Sequence, residues 1–485
     1  MKNNIPTLEP ITSPWIDTLT SDFELQNELL DTYNSPLNIH HIRSFQNNIG
    51  EYRAFLNQYD FKSKVFYARK ANKCSTLATV AFEGGIGVDT ASYAELKQCL
   101  DLNINPEDLV LTAAIKNTKL LRLAIQHEVL IIIDNKDEAD LIYAICKEEN
   151  KQAIIGLRIS GFEYNSQKLK SRFGFDIDTV SDFILKFFEP EEVKKCIKFT
   201  GFHFHLDGYN TQQRGVAIHQ TLDLIETLKT YNFKLNFIDI GGGILINYLK
   251  DSDQWKTFQE ELKKAILEKR NPITYNNNGL GFVQRDGKIE GQLATYPYYN
   301  QTFKTTFIKN ILDVMGSQNE PVWKRLKDLN IELRLEPGRS LLDQVGITMA
   351  KVAHRKKDAD GNILIGLEMN MTQMTSSSAD FLLEPKMTYA KPDIDKESVA
   401  VFFTGAYCLE RDFILKRKIK LPKLPEVGDI VTFINTAGYM MHFFETEAHL
   451  FELSQNIFLK DYTRSTQIVD FFRDENNLET SHIYL

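Results

Sequence analysis

Cysteine is scarce in this chain and poorly placed for any framework. Its 485 residues hold five, Cys74, Cys99, Cys146, Cys196 and Cys408. No two form a CxxC pair, so neither a disulfide scaffold nor a zinc site or other metal site is expected. A reduced, cytoplasmic setting fits this pattern. Long hydrophobic runs are also missing, and none reaches the length that spans a bilayer. The opening residues, MKNNIPTLEPITSPW, lack the basic-then-apolar order of a secretory leader. Nor is there a large excess of one charge: 57 Lys and Arg face 65 Asp and Glu, for a net −8. That mildly acidic balance argues against a nucleic-acid or membrane-surface partner. What remains is ordinary globular composition, 43% hydrophobic and 25% charged. The length exceeds one hydrophobic core and implies two or three domains.

Between about residues 36 and 345, short apolar runs alternate with helical periodicity. Strands are expected at 65–71, 86–92, 108–114, 130–135, 153–160, 199–207, 236–243 and 331–340. Eight strands, each followed by a helix, predict an α/β fold, a parallel (β/α)8 TIM barrel. A doubly wound open sheet is the structural alternative. The spacing between the seventh and eighth strands is too long for one crossover. An insertion at about 244–330 is therefore expected, with a helix over 254–269 and a hairpin turn at Asp286-Gly287. It reads either as a lid or substrate-binding element, or as a surface subdomain without a role in the site. Residues 346–485 show strand-like runs without long helices between them. They predict a C-terminal, mostly antiparallel β domain, which residues 1–35 are expected to join.

In such a barrel, chemistry collects at the C-terminal strand ends. Polar residues fall there repeatedly: Lys70, Asp89, Ser92, Arg158, His205, Asp207, Glu336 and Arg339. One charged residue at a strand end is usually a solvated edge, but several converging on one mouth argue for a site. A lysine beside a barrel core can be desolvated and made nucleophilic. Gly241, Gly242 and Gly243 would let backbone N–H groups approach a phosphate, although triple glycine also makes tight turns. Arg339 on the neighbouring strand strengthens the phosphate reading. Glu336 offers a carboxylate to a ring nitrogen, or only a salt bridge to Arg334 or Arg339. His203 and His205 share a strand face at period two, and one of them is expected to be a core histidine.

The segments YARKAN, GVDTASYAEL, VLTAAIKN, GLRIS, GFHFHLDG, IDIGGG and LEPGRS occur in that order. With FFTGAYCLERD and NTAGYMMHF after them, they resemble the motifs of the fold-type III pyridoxal-phosphate decarboxylases, alanine racemase-like in fold. This family contains diaminopimelate, ornithine and arginine decarboxylases. The resemblance implies pyridoxal 5'-phosphate as cofactor, an amino-acid substrate, and a homodimer with shared active sites. Lys70 would hold the cofactor as a Schiff base. His205 would stack on its ring, and Glu336 would keep the ring nitrogen protonated. Gly243, with its neighbours Gly241 and Gly242, Arg339 and Tyr439 would bind the phosphate. Asp89 and Arg158 would surround the cofactor. Cys408 would be the acid that reprotonates the α-carbon, donated from the partner subunit.

Three departures bear on the substrate. Asp207-Gly208 stands where the family usually has Gly-Ser. Leu409 follows the cysteine where an acidic residue is usual, with Glu410 one step later. Asn370-Met371 replaces Asn-Asp. Two carboxylates suited to a distal ammonium are therefore missing, and an apolar group cannot replace their charge-assisted hydrogen bonds. The expected substrate has a distal amine that is absent, modified or read elsewhere, such as a citryl-diamino acid in siderophore biosynthesis. An amino-acid racemase of the same fold is the alternative enzyme, but such racemases place arginine, not a carboxylate, near the ring nitrogen. A non-catalytic regulatory relative would be expected to have lost cofactor residues that are all present here.

Overall fold

A computed structural model describes residues 4–376, 381–392, 397–463, 468–474 and 480–484. The chain divides into two compact units. One comprises Gln46–Leu245 and Thr302–Leu341; the other comprises Met1–Phe45, Ile246–Gln301 and Leu342–Leu485.

The first unit is a closed barrel of eight parallel strands. They are Ser63–Ala68, Gly87–Thr90, Leu109–Leu111, Leu130–Ile133, Ala153–Ser160, Ile197–His203, Phe237–Asp239 and Glu332–Leu335. Each pairs with the next, and the eighth pairs with the first through Leu333 and Ser63. Closure removes the sheet edges and excludes the doubly wound alternative. Continuous apolar runs form these strands because both faces are covered; all four residues of Leu130–Ile133 are buried. Phe66, Val110, Leu130, Ile132 and Phe237 pack together in the barrel.

Helices start where a side chain can cap them. Ser92, Asn117 and Asn135 accept hydrogen bonds from the N–H groups of Glu95, Leu120 and Glu138. Such caps contribute about 1 kcal/mol each. The strands end earlier than the apolar runs suggest, at Ala68 and Asp239, for example, rather than at residues 71 and 243. The polar residues therefore stand in the loops just beyond the strands.

The second unit is built on a mostly antiparallel sheet. Leu37–His41 and Ile430–Ile434 both pair antiparallel with Gly346–Lys357. Among the described residues two pairings of this unit are parallel, Leu37–His41 with Gln455–Thr463 and Ile363–Leu367 with Val399–Thr404. Helices Pro14–Leu19 and Phe23–Tyr33 bury Trp15, Ile16, Leu25 and Leu29 against Ile347, Met349, Ile434 and Ile457. Truncating Leu29 to alanine would cost about 2–5 kcal/mol there.

Residues 246–301, from the middle of the insertion, group with this unit. They contain helix Ser252–Ile266 and a hairpin of Phe282–Arg285 with Lys288–Gly291. Asp286 and Gly287 turn that hairpin with φ of 50° and 72°. Tyr275 stacks on Phe413 at 3.9 Å. Buried Arg417 donates to the carbonyls of Leu382 and Pro6 and lies over the Phe258 ring. The remainder of the insertion adds helices Lys304–Leu312 and Val322–Leu329 to the barrel unit. Among the described residues, no helix is long and apolar enough to cross a membrane.

Candidate active site

Lys70 lies in a single turn, Arg69–Ala71, just after the first barrel strand. Its Nζ is 3.0 Å from Asp89 Oδ2, while the other oxygen of Asp89 accepts from Thr112 Oγ1 at 2.5 Å. The Asp89 side chain is wholly buried, and the Lys70 side chain is 36% exposed. The lysine is thus held by a carboxylate rather than stripped of water. Burial pushes the Asp89 carboxyl up, with Glu336 adding to the shift; Lys70 and Thr112 oppose it. Below Lys70, buried Arg69 donates to the carbonyls of Glu95 and Lys73 and to Cys99 Sγ. This ties the lysine turn to helix Tyr93–Asp101.

The glycine turn after the seventh strand has no room for side chains. Gly241 and Gly243 take φ of 67° and 71°, which L side chains adopt at a cost. A Cβ on Gly241 would fall 2.4 Å from His205 Nδ1, and one on Gly243 2.6 Å from an Arg214 nitrogen. The Gly242 N–H donates to His205 Nδ1 at 3.2 Å, which places the ring proton on Nε2. Burial, with Lys70 and Arg214 nearby, holds the His205 imidazole well below its ordinary pKa. Arg214 is buried and donates to the carbonyls of Gly242, Leu206 and Gly208. Burial pushes its guanidinium down to about 10.

Three buried groups crowd behind this turn. Donor atoms of His203, Asp239 and Glu336 lie within 4.8 Å of one another. His203 Nε2 is 3.4 Å from Glu336 Oε1. Asp239 Oδ1 accepts the Gly241 N–H at 2.9 Å. The Asp239 and Glu336 carboxyls are thus buried neighbours. Burial raises both pKa values, and for Asp239 the charge of Glu336 adds to the shift. Burial also holds the His203 imidazole well below its ordinary value. Among the described residues, Glu336 Oε1 and Asp239 Oδ2 meet no hydrogen-bond donor.

Arg158, at the end of the fifth strand, sits 4.2 Å over the Phe173 ring. Burial lowers its pKa, and Asp134 and Glu336 raise it. Arg339 is buried in the loop after the eighth strand. Lys70, Asp89, Arg158, His205, Gly241, Gly242, Gly243, Glu336 and Arg339 therefore all lie at one end of the barrel. Sequence reasoning missed Thr112, Asp239 and Arg214; an arginine in the first turn of a long polar helix carries no signal that it is buried.

Cys408 and Tyr439 belong to the other unit. Cys408 is exposed in the loop 405–412. Tyr439 has a left-handed backbone, φ 71°, and its ring is 5.9 Å from that of Phe443. Asp412 takes the N–H groups of Tyr407 and Met371 at 2.7 and 2.8 Å, joining the cysteine loop to the Asn370 segment. The Asn370 side chain accepts from Thr372 N at 3.0 Å and so caps its own short turn. Leu409 is 44% exposed.

Residues 46–282 match the family described as pyridoxal-dependent decarboxylase, pyridoxal binding domain. Over these residues the chain is similar to the fold-type III pyridoxal-phosphate decarboxylases. An uncharacterized protein, y4yA, of Sinorhizobium fredii is 29% identical over 437 residues, 89% of each chain. A diaminopimelate decarboxylase of Bacillus methanolicus is 22% identical over 424 residues, 85% of each chain. The crystal structure of a diaminopimelate decarboxylase from M. jannaschii superposes with a TM-score of 0.68 at 18% identity. It covers 94% of this chain and 92% of its own. In this decarboxylase family the cofactor is pyridoxal 5'-phosphate. The barrel mouth fits it: Glu336 offers a buried carboxyl oxygen that meets no donor among the described residues, and the close-packed Gly241–Gly243 turn leaves Gly243 partly exposed.

Proposed function

We propose that this chain decarboxylates an amino acid with pyridoxal 5'-phosphate held at Lys70. Glu336 carries the reading, as a buried carboxyl whose Oε1 meets no donor among the described residues. A carboxylate there can hold a ring nitrogen in its protonated form. When bound, the cofactor supplies an electron sink for the pair left on the α-carbon as CO2 departs.

The chain's own groups do the rest. Asp89 orients the Lys70 amine through the 3.0 Å contact. His205, fixed by the Gly242 N–H, presents a neutral ring for stacking. Gly243, Arg339 and Tyr439 bind the phosphate, the N–H groups of Gly241 and Gly242 being given to Asp239 and His205, and Arg158 completes the surroundings. Cys408 Sγ returns a proton to the α-carbon from the partner subunit of a homodimer, and the protein works in the cytoplasm.

The substrate lacks a free distal ammonium. Leu409 and Met371 stand where carboxylates would bind one, and Asn370 is occupied in capping its own turn. A citryl-diamino acid of a siderophore pathway is the kind of substrate that fits. Release of CO2 from a panel of amino acids and their citryl conjugates tests both parts. Fast turnover of free ornithine, lysine or diaminopimelate would remove the substrate assignment. Release from no member of the panel, or protein without a yellow, borohydride-sensitive chromophore, would remove the activity.

A further inference from the structure

The loop after the fifth barrel strand is tied down at several points. The Leu169 N–H donates to the Phe162 carbonyl at 2.7 Å, and that of Ile177 to Ser160 at 2.9 Å. The Gly174 N–H donates to Asp134 Oδ1 at 3.0 Å. Lys168 Nζ bridges Asp176 and Asp178 at 2.6 and 2.9 Å, so its charge is answered within the loop. Between these ties stand Lys170 and Arg172. Among the described residues neither has a carboxylate partner. Arg158 and Arg172 both pack on the Phe173 ring, at 4.2 and 3.8 Å.

These side chains line a cavity of about 630 Å³ that also reaches His205. Asp207 supplies its one carboxylate, which accepts the N–H of Gly208 at 2.9 Å. Asp176 and Asp178 answer Lys168, and Asp134 acts on Arg158, which leaves Lys170 and Arg172 as the lining cations without a carboxylate partner among the described residues. Two such cations on one cavity wall suit a ligand with more than one carboxylate. Lys170 and Arg172 are exposed, yet they line one cavity with half-buried Arg158 and the site histidine.

We propose that this wall is an anion subsite, in which Lys170 and Arg172 take the distal, carboxylate-bearing end of the substrate. The proposal rests on the decarboxylase reading and gives a location for the substrate end that Leu409 and Met371 do not bind. The same chemistry would suit the cofactor's phosphate, so the test is made on protein already saturated with pyridoxal phosphate.

Calorimetry with tricarballylate, a tricarboxylate without an amine, and with 1,5-diaminopentane, a dication, reads the subsite directly. Tricarballylate should bind, lose affinity as salt rises, and bind about tenfold or more weakly to the Lys170→Ala/Arg172→Gln double variant. Lys170→Arg should retain the affinity. The diamine should bind no better to the parent than to the variant. Should the double variant not fold, Lys170→Glu alone carries the same expectation. Equal tricarballylate affinity in parent and variant would overturn the proposal, as would preferential binding of the diamine. A variant that loses pyridoxal phosphate rather than tricarballylate would assign the loop to the cofactor and also overturn it. No turnover enters these measurements, so failure of the CO2 assay and failure of the subsite are read separately.

Discussion

The fifth and sixth barrel strands border a cavity at each end, and the two are built differently. At their N-terminal ends, about 430 Å³ is lined by Phe188, Phe199 and Phe233, with lysines at the rim. Phe188 and Phe199 stack there at 5.2 Å. At their C-terminal ends lies the larger cavity, with Arg158, Arg172 and His205. Among the described residues of the barrel unit, the buried side-chain atoms without hydrogen-bond partners belong to Arg69, His203, Arg214, Asp239 and Glu336. All five stand at the C-terminal end. Each such atom costs about 1–3 kcal/mol. The barrel thus concentrates its unfavourable polar burial where chemistry is expected and packs aromatic rings at the opposite end.

This contrast can be broken by variants at either end. The largest effect is expected from Lys70→Ala, which should lower kcat for CO2 release by on the order of 10³-fold or more, about 4 kcal/mol in barrier. Its melting temperature should stay near that of the parent, and undiminished turnover would remove Lys70 from the mechanism. At the other end, Phe199→Ala should cost about 3 kcal/mol of stability through loss of buried ring contacts. Denaturant unfolding measures that loss, and kcat of the folded fraction should not move. A large fall in kcat would mean that the two ends are not independent. Glu336→Gln comes next, with kcat lowered about 10²-fold, the scale of one misplaced electrostatic partner. A shifted absorption band of the bound cofactor should accompany it.

The smallest effect concerns pH. Asp239 and Glu336 are held above their ordinary values. Above about pH 4 the folded chain then keeps protons that the unfolded chain has lost, so stability falls as pH rises toward the folded pKa values. His203 is held well below its ordinary value and acts in the opposite sense. Below about pH 6.5 the unfolded chain takes up its proton first, so stability falls as pH drops. Melting curves of the apoprotein should show Asp239→Asn flattening the first slope and His203→Gln the second. Unchanged slopes would mean that neither buried group titrates differently on unfolding.

The barrel was legible because its strands are apolar on both faces and its helices carry cap residues such as Ser92, Asn117 and Asn135. The mouth was legible wherever a residue stood within a few positions of an apolar run, as Lys70, His205 and Glu336 do. Arg214 and Thr112 escaped because tertiary folding, rather than local pattern, buries the one and aims the other. Asp239 is part of a strand, and the pairing of that seventh strand with the eighth sets it beside Glu336. The basic loop 168–173 has neither helical nor strand period, so its meeting with Arg158 around one ring left no trace in the sequence. The insertion misled in another way. Its helix and hairpin were readable, but Arg417 and Phe413, which anchor residues 258 and 275, lie more than a hundred positions away.

Asp412 has a consequence for how this protein can change. One carboxylate fastens the backbone of Tyr407, beside Cys408, to that of Met371, beside Asn370. The two segments that differ most from the usual diamino-acid pattern therefore behave as one riveted part. A mutation that shifts one drags the other, so a lineage moving toward a new substrate would have to remodel both in step or give up the rivet first.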